Sequence, residues 1–376
     1  QHNSNIKNSD SFVYKFPTFI EKSVLTRCSF RKIIYIRVLI LKNGRLVHTD
    51  VLLFFITDTK RNVIMNKNRH LLRLTDWTEE RIVDTIETAI RLKEELKTGN
   101  PTAPLRGKSV GMFFEKPSLR TITTFQVGIA QLGAFPVQLS PDSIGLGKRE
   151  SIKDVARCLS RWVDALVVRC FKQELLEQLA EYGNIPVVNA LTDDYHPCQA
   201  FAFAQTIREN IGEFQGKTVA FIGDGNNVAN SFLALCAKLG MNFTLACPKG
   251  FEQPKAIVEE ALPEMAKHNC CYKVFNDPKE AVKNADILYS DVWVSMGQES
   301  EKDSKQSHFW PFQINDELLS FAPAHCKVSH CLPAHRGEEI TDSVMDNLDV
   351  NLSYEEAENR LHAHKAVLCQ VLEKTK

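Results

Sequence analysis

The chain has no stretch of eighteen consecutive apolar residues, so no segment has the length and hydropathy of a membrane-spanning helix. It has no surplus of either charge, with 46 Lys and Arg against 46 Asp and Glu. No basic cluster is dense enough to read as a nucleic-acid footprint. Its 11 cysteines include no C-x-x-C pair, which sets aside zinc ribbons and redox dithiols. They are odd in number, and several lie inside apolar runs, where a free thiol behaves as a small hydrophobe. A reducing compartment, and with it a cytoplasmic location, is the expectation.

The first 64 residues lack methionine and nearly lack acid. They carry eleven Lys or Arg against four Asp or Glu, a net +7, whereas residues 65–376 carry 35 against 42, a net −7. The first methionine, Met65, begins "MNKNRHLLRLTDWTEE", which reads as a natural start, with Thr75 or Asp76 capping an amphipathic helix. An acid-poor leader fits a targeting segment, but the strand-like "KIIYIRVLIL" does not. Residues 1–64 are therefore expected to be an atypical extension without a function of its own. A targeting extension and a real extra element are the alternatives.

What is present after Met65 is alternation. Short apolar runs, "SVGMFF", "PVQLS", "ALVVR" and "PVVNA", are separated by segments with helical spacing, such as "SIKDVARCLSRWV" and "HPCQAFAFAQTIREN". After the polar "ENIGEFQGK" the plan repeats with "TVAFIG", "NFTLACP", "ADILYS" and "CKVSHCLPA" as strands. The final "SYEEAENRLHAHKAVLCQVLEK" reads as one helix. Strand and helix in turn predict an α/β fold of two domains, each a parallel sheet flanked by helices. The expected boundaries are 65–212, 213–350 and a C-terminal helix over 351–376.

Residues with chemical capacity fall at the carboxyl ends of these strands, where open α/β sheets bind ligands. In "EKPSLRTITTF" a strand gives way to a helix at Ser118, Arg120 and Thr121. Unpaired first-turn N–H groups, two hydroxyls and a guanidinium suit an anion such as phosphate. The plainer reading is that Ser118 or Thr121 only caps the helix. Arg169 ends "ALVVR", and "YHPCQAF" puts His196 and Gln199 at a helix start. "FIGDGNNVANS" imitates a dinucleotide fingerprint, but Val228 stands where the third glycine belongs and no acid follows the next strand. Its Asn226 and Asn227 either form the turn or offer amides to a ligand. Asp291 follows the strand "ADILYS"; it suits an ammonium group or a turn, with Ser295 and Met296 in the loop behind it. Cys331 and Leu332 end the last strand, the thiol being either packing or a group that handles the proton of an attacking amine.

Ser-x-Arg-Thr before a helix, "HPCQ", "DVWVSMGQE" and "HCLPAHRGEE", in that order, resemble the ornithine carbamoyltransferase family, within the aspartate/ornithine superfamily. The resemblance runs from about Met65 to the C-terminus. It implies that Ser118, Leu119 through its backbone, Arg120 and Thr121 cradle the phosphate of carbamoyl phosphate. Arg169, His196, Gln199 and Arg360 would hold the carbamoyl end, with Cys331 and Leu332 at the reacting nitrogens. Asn227, Asp291, Ser295 and Met296 would bind ornithine. Arg169, His196, Asp291 and Cys331 would be the catalytic set. The resemblance further implies a homotrimer, a C-terminal helix returning to the first domain, and catalysis without metal or organic cofactor. Two positions depart from the family pattern: Ile122 replaces a second Arg, and Gly145 replaces the Gln or His of a loop that reaches a neighbouring subunit. Lys148 or Arg149 would substitute there. The departures leave a catalytically silent amino-acid-binding protein, or a transferase with another amine acceptor, as alternative readings.

Overall fold

The computed structural model describes residues 34–42 and 45–53 by backbone alone, and residues 69–147, 149–294 and 302–372, with side chains from 305 in the last segment. Ser295, Met296 and Lys148 lie outside the described residues. Contacts divide the chain into residues 1–66 and 67–376. In the first unit, β1 (Ile34–Lys42) pairs antiparallel with β2 (Arg45–Leu53), from Ile34 opposite Leu53 to Lys42 opposite Arg45. The strand-like reading of "KIIYIRVLIL" holds there, and the second strand was not expected.

The second unit contains two parallel sheets. The first runs in the order β4-β3-β5-β6, from β3 (Ser109–Phe114), β4 (Phe135–Leu139), β5 (Ala165–Arg169) and β6 (Val187–Leu191). The second runs β11-β10-β7-β8-β9, from β7 (Thr218–Ile222), β8 (Asn242–Ala246), β9 (Tyr272–Phe275), β10 (Ile287–Ser290) and β11 (Lys327–His330). The central strands are apolar nearly throughout and buried, as strands covered on both faces must be. The covering helices are α1 (Glu79–Lys97), α2 (Leu119–Gln131), α3 (Ile152–Trp162), α4 (Gln173–Tyr182), α5 (Pro197–Asn210), α6 (Asn227–Leu239), α7 (Lys255–Lys267) and α8 (Ser353–Leu372). The C-terminal helix α8 packs on α5, α1 and α2, and so returns to the first sheet.

Two local expectations change. The cap of α1 is Thr78, whose Oγ1 accepts from the Arg81 N–H at 3.3 Å, and not Thr75 or Asp76. Those two lie in or beside a 3₁₀ turn, Leu74–Asp76, that turns Leu74 and Trp77 into the core. Sequence periodicity also missed β9 and α7. β9 is a four-residue edge strand without a fully buried residue, and α7 carries Pro263 inside it.

The topology fixes where a ligand can go. β3 leads outward to β4 and the chain then returns to β5; β7 leads outward to β8 and β9 before returning to β10. Each sheet therefore has one reversal point, between β3 and β5 and between β7 and β10, and crevices form at the carboxyl ends of such strand pairs.

Candidate functional site

A cleft of about 810 Å³ joins the two reversal points. Of the residues proposed from sequence, Ser118, Leu119, Arg120, Arg169, His196, Gln199, Asn227, Asp291, Cys331, Leu332 and Arg360 line it. Thr121 sits directly behind.

On the first-sheet side, β3 hands over to α2 at Ser118. Its Oγ accepts from the Thr121 N–H at 3.2 Å and donates to Thr121 Oγ1 at 2.8 Å, so Ser118 does cap the helix. The first-turn N–H groups of Leu119 and Arg120 have no acceptor within the helix. Thr121 Oγ1 also accepts from Arg360 at 2.6 Å and from Arg169 at 3.5 Å. Three guanidiniums thus converge on one helix start. Among the described residues none of the three has a carboxylate within ion-pair distance, and the Nε atoms of all three are buried without a partner. Burial, then repulsion from Arg360 and Arg120, lowers Arg169 to about 10. Burial likewise lowers Arg360 and Arg120. Uncompensated buried charge of this kind is strongly unfavourable, and an anion between the guanidiniums relieves it.

His196 lies beside them. Burial, then Arg360 and Arg169, holds its imidazole well below the usual range, so the ring is neutral, and its Nδ1 has no partner. The backbone N–H of His196 donates to Ser231 Oγ at 2.7 Å. Asn227 Nδ2 donates to Thr192 O at 2.5 Å, and Asn230 Nδ2 to Asp194 O at 3.0 Å. Asn227, Asn230 and Ser231 share one face of α6, at i, i+3 and i+4, and stitch the second half to the 192–196 loop. The Asn227 amide is thereby occupied in this form.

On the second-sheet side the polar groups are largely paired with one another. Asp291 accepts from Cys331 Sγ at 2.8 Å, from Asn226 Nδ2 at 2.8 Å and from its neighbour's N–H, that of Val292, at 2.8 Å. Cys331 is a thiol here: burial, then the Asp291 charge, raises it well above the ordinary value. Asp224 pairs with Lys305 at 2.7 Å. The "GDG" turn has backbone reasons for its glycines. Gly223 has φ 145°, and a Cβ on Gly225 would lie 2.5 Å from the Gln253 nitrogen. Asn226 Oδ1 caps α6 by accepting from the Val228 and Ala229 N–H groups, so of the two readings of "GDGNN" Asn226 takes the turn-forming one. Leu332 has φ 56°, and its N–H donates to His330 Nδ1 at 2.9 Å.

Neither position that departs from the family pattern is open to the cleft. Ile122 is partly buried against the main apolar core. Gly145 ends a short helix, Pro141–Ile144, in the left-handed region at φ 57°, and Arg149 turns back to donate to Ser143 O at 3.2 Å. Sequence reading missed Lys116, buried in the cleft wall and paired with Asp193. It also missed Glu356, which is buried behind Gln199. A helical "YEEAEN" gives no sign of which carboxylate faces inward.

Family models agree in location with the two halves. Residues 69–209 match the aspartate/ornithine carbamoyltransferase carbamoyl-P binding domain, and residues 215–371 match the Asp/Orn binding domain. Among curated proteins, an ornithine carbamoyltransferase of Halalkalibacterium halodurans is 47% identical over 310 residues, covering 82% of this chain and 97% of its own. One from Anoxybacillus flavithermus is 45% identical, covering 82% and 98%. Among solved structures, ornithine carbamoyltransferase from Pyrococcus furiosus superposes with a TM-score of 0.79 at 43% identity, covering 82% of this chain and 98% of that one.

Proposed function

The chain belongs to the aspartate/ornithine carbamoyltransferase family, and from that premise we propose that it transfers the carbamoyl group of carbamoyl phosphate to the δ-amine of L-ornithine, giving L-citrulline and phosphate. The observation that carries the reading is the set of three guanidiniums without carboxylate partners among the described residues, facing Asp291, the cleft aspartate not paired with a lysine, across one cleft. That arrangement suits an anion on one side and an amino-acid ammonium on the other. Residues 65–212 would hold carbamoyl phosphate, 213–350 ornithine, and 351–376 would return Arg360 to the first site.

The phosphate lies against Ser118, the Leu119 and Arg120 N–H groups and the Arg120 side chain, with Thr121 holding Arg360 and Arg169 in place. Arg169, Arg360 and the neutral His196 donate to the carbamoyl oxygen, and Gln199 faces the carbamoyl nitrogen. Ornithine's α-ammonium takes Asp291, with Asn227, Ser295 and Met296 completing that end. Its arrival competes with the Cys331 thiol for the Asp291 carboxylate and turns the thiol toward the δ-amine. The Leu332 N–H is already committed, so its carbonyl is the atom left for the reacting nitrogens.

The neutral δ-amine attacks the carbamoyl carbon, and the carbonyl electrons pass to oxygen. Donors placed in advance around that oxyanion lower the barrier. The oxyanion electrons then return to re-form the carbonyl, the bond from carbon to the bridging oxygen of the acyl phosphate breaks, phosphate leaves with that electron pair, and the amine proton ends on phosphate. Holding both substrates in register supplies much of the remaining acceleration. No helix among the described residues is long and apolar enough to cross a membrane. A cytoplasmic homotrimer is the proposed state; Leu119 at 79% and Phe135 at 67% exposure leave apolar surface on the first half for subunit contact.

The test is citrulline formation with carbamoyl phosphate across ornithine, putrescine, acetylornithine and aspartate. Turnover with ornithine alone is expected. Turnover with another amine only would overturn the acceptor, and a folded protein that binds carbamoyl phosphate without turnover would overturn the activity.

A further inference from the structure

Most of the side chains that face the carbamoyl end of the cleft are donors. Arg120, Arg169 and Arg360 can only donate, and His196 adds a ring N–H. Beside the Leu332 backbone carbonyl, the amide-oxygen acceptor there is Gln199, whose Oε1 is buried in the cleft wall without a partner. A glutamine amide can turn either way round, so something must fix its oxygen inward.

The fixing group is behind it. Gln199 Nε2 donates to Glu356 Oε1, on the first turns of α8. The same oxygen accepts from the Tyr289 hydroxyl at 2.7 Å, and Glu356 Oε2 accepts from the Ser329 hydroxyl at 2.5 Å. All four side chains are essentially inaccessible to solvent. Turning the amide over would press its oxygen against a carboxylate oxygen already shared with a tyrosine, with no water to separate them. Glu356 and Tyr289 do not line the cleft; Glu356 reaches the ligand by contact through Gln199, and its charge is felt as well by Arg360 and Cys331, which the phosphate reference measures.

We propose that Glu356 is a positioning residue that contributes to substrate specificity: by holding the Gln199 nitrogen it turns the Gln199 oxygen toward the ligand as an acceptor, and so favours an acyl phosphate that ends in –NH2 over one that ends in methyl. The inference rests on the carbamoyl-transfer reading above. A site with an inward acceptor leaves that acceptor unpaired when methyl replaces amino, and a buried unpaired acceptor weakens binding by roughly tenfold or more.

The test compares two non-hydrolysable probes by calorimetry on the full chain: phosphonoacetamide, which carries –CO–NH2, and acetonylphosphonate, in which methyl stands in place of the amino group. Inorganic phosphate is the reference. The wild type is expected to prefer the amide by roughly tenfold or more. Glu356→Leu, which leaves Gln199 free to turn, should lower the ratio severalfold while phosphate affinity falls by less than the ratio does. Glu356→Gln keeps the volume and one acceptor and should give an intermediate ratio; it decides the matter where the leucine variant does not fold. A role confined to tying α8 to β10 and β11 would weaken all three ligands together and leave the ratio unchanged. A wild type without amide preference, or either folded variant with the wild-type ratio, overturns the proposal. A wild type that binds neither phosphonate and makes no citrulline overturns the carbamoyl-transfer reading, and this inference with it. A wild type that makes citrulline while a folded variant keeps the ratio overturns the positioning role alone.

Discussion

The two walls of the cleft are built on opposite electrostatic plans. The first-sheet wall gathers Arg120, Arg169 and Arg360 around the start of α2, and among the described residues no carboxylate lies within ion-pair distance of them. The second-sheet wall has acids, and each is answered: Asp291 by Cys331 and Asn226, Asp224 by Lys305. The first wall is thus left unfinished without an anion, whereas the second is satisfied within itself and must exchange partners to take an amine. This difference predicts an order of events. Carbamoyl phosphate relieves strain by binding, and ornithine binds by displacement, so the anion should bind the free protein and ornithine should bind well only after it.

The sharpest way to break the comparison is to remove a cation from the unfinished wall. Arg169→Met should lower kcat/KM for carbamoyl phosphate by about 10³-fold or more, because a charge-assisted contact to the reacting oxygen is lost. Its thermal midpoint should hold or rise, since a repelled buried charge has gone. An Arg169→Met protein that melts well below the wild type, yet binds phosphate normally, would mean that the guanidinium serves the fold.

Acid should act on the first half as well. His70 is lowered to about 4 and His362 to about 3, while His196 and His364 are held well below their usual range, each chiefly by burial. Above pH 6.5 these rings are neutral in both the folded and the unfolded chain. Between pH 6.5 and about 4 the unfolded chain takes up protons that the folded one excludes, so stability falls with falling pH. For His70 alone the loss reaches about 3 kcal/mol by pH 4. Chemical denaturation at stepped pH should show the decline starting near 6.5; a flat profile down to pH 5 would contradict the neutral assignment.

The satisfied wall predicts a smaller and more selective effect. Asp291→Asn should lower kcat/KM for ornithine by about 100-fold, as a lost partner for a buried ammonium does. Affinity for phosphonoacetamide should stay within about twofold, since that ligand belongs to the other wall. Equal losses for both ligands would erase the division between the walls.

How much of this was legible follows the same division. Ser118, Arg120, Arg169 and His196 sit at ends of strands or starts of helices, and a strand-to-helix junction is readable from periodicity. The position of Asp291 after "ADILYS" was readable for the same reason. The stitching by Asn227, Asn230 and Ser231 was not, because polar residues on a helix look solvated until a neighbour covers them. Glu356 was hidden likewise among Glu355 and Glu358. β9 was invisible because an edge strand of four half-exposed residues has no apolar run.

The smallest expected effect concerns Ile122, one of the two positions read from sequence as departures from the family pattern. Ile122 follows Thr121 on α2, yet its side chain packs on the apolar core and does not line the cleft. An arginine there would bury its stem along the same surface and carry its charge outward, adding positive potential near the phosphate end at longer range than Arg120. Screening limits such a contribution at physiological salt. Ile122→Arg should therefore tighten carbamoyl phosphate by only about two- to threefold, more at low ionic strength, with a stability loss of about 1 kcal/mol from the lost aliphatic contact. Titration at two salt concentrations separates the outcomes. A gain that shrinks with salt identifies a field effect on the unfinished wall, an equal or weaker Michaelis constant refutes it, and a salt-independent gain of tenfold or more would mean that the new guanidinium reaches the phosphate directly.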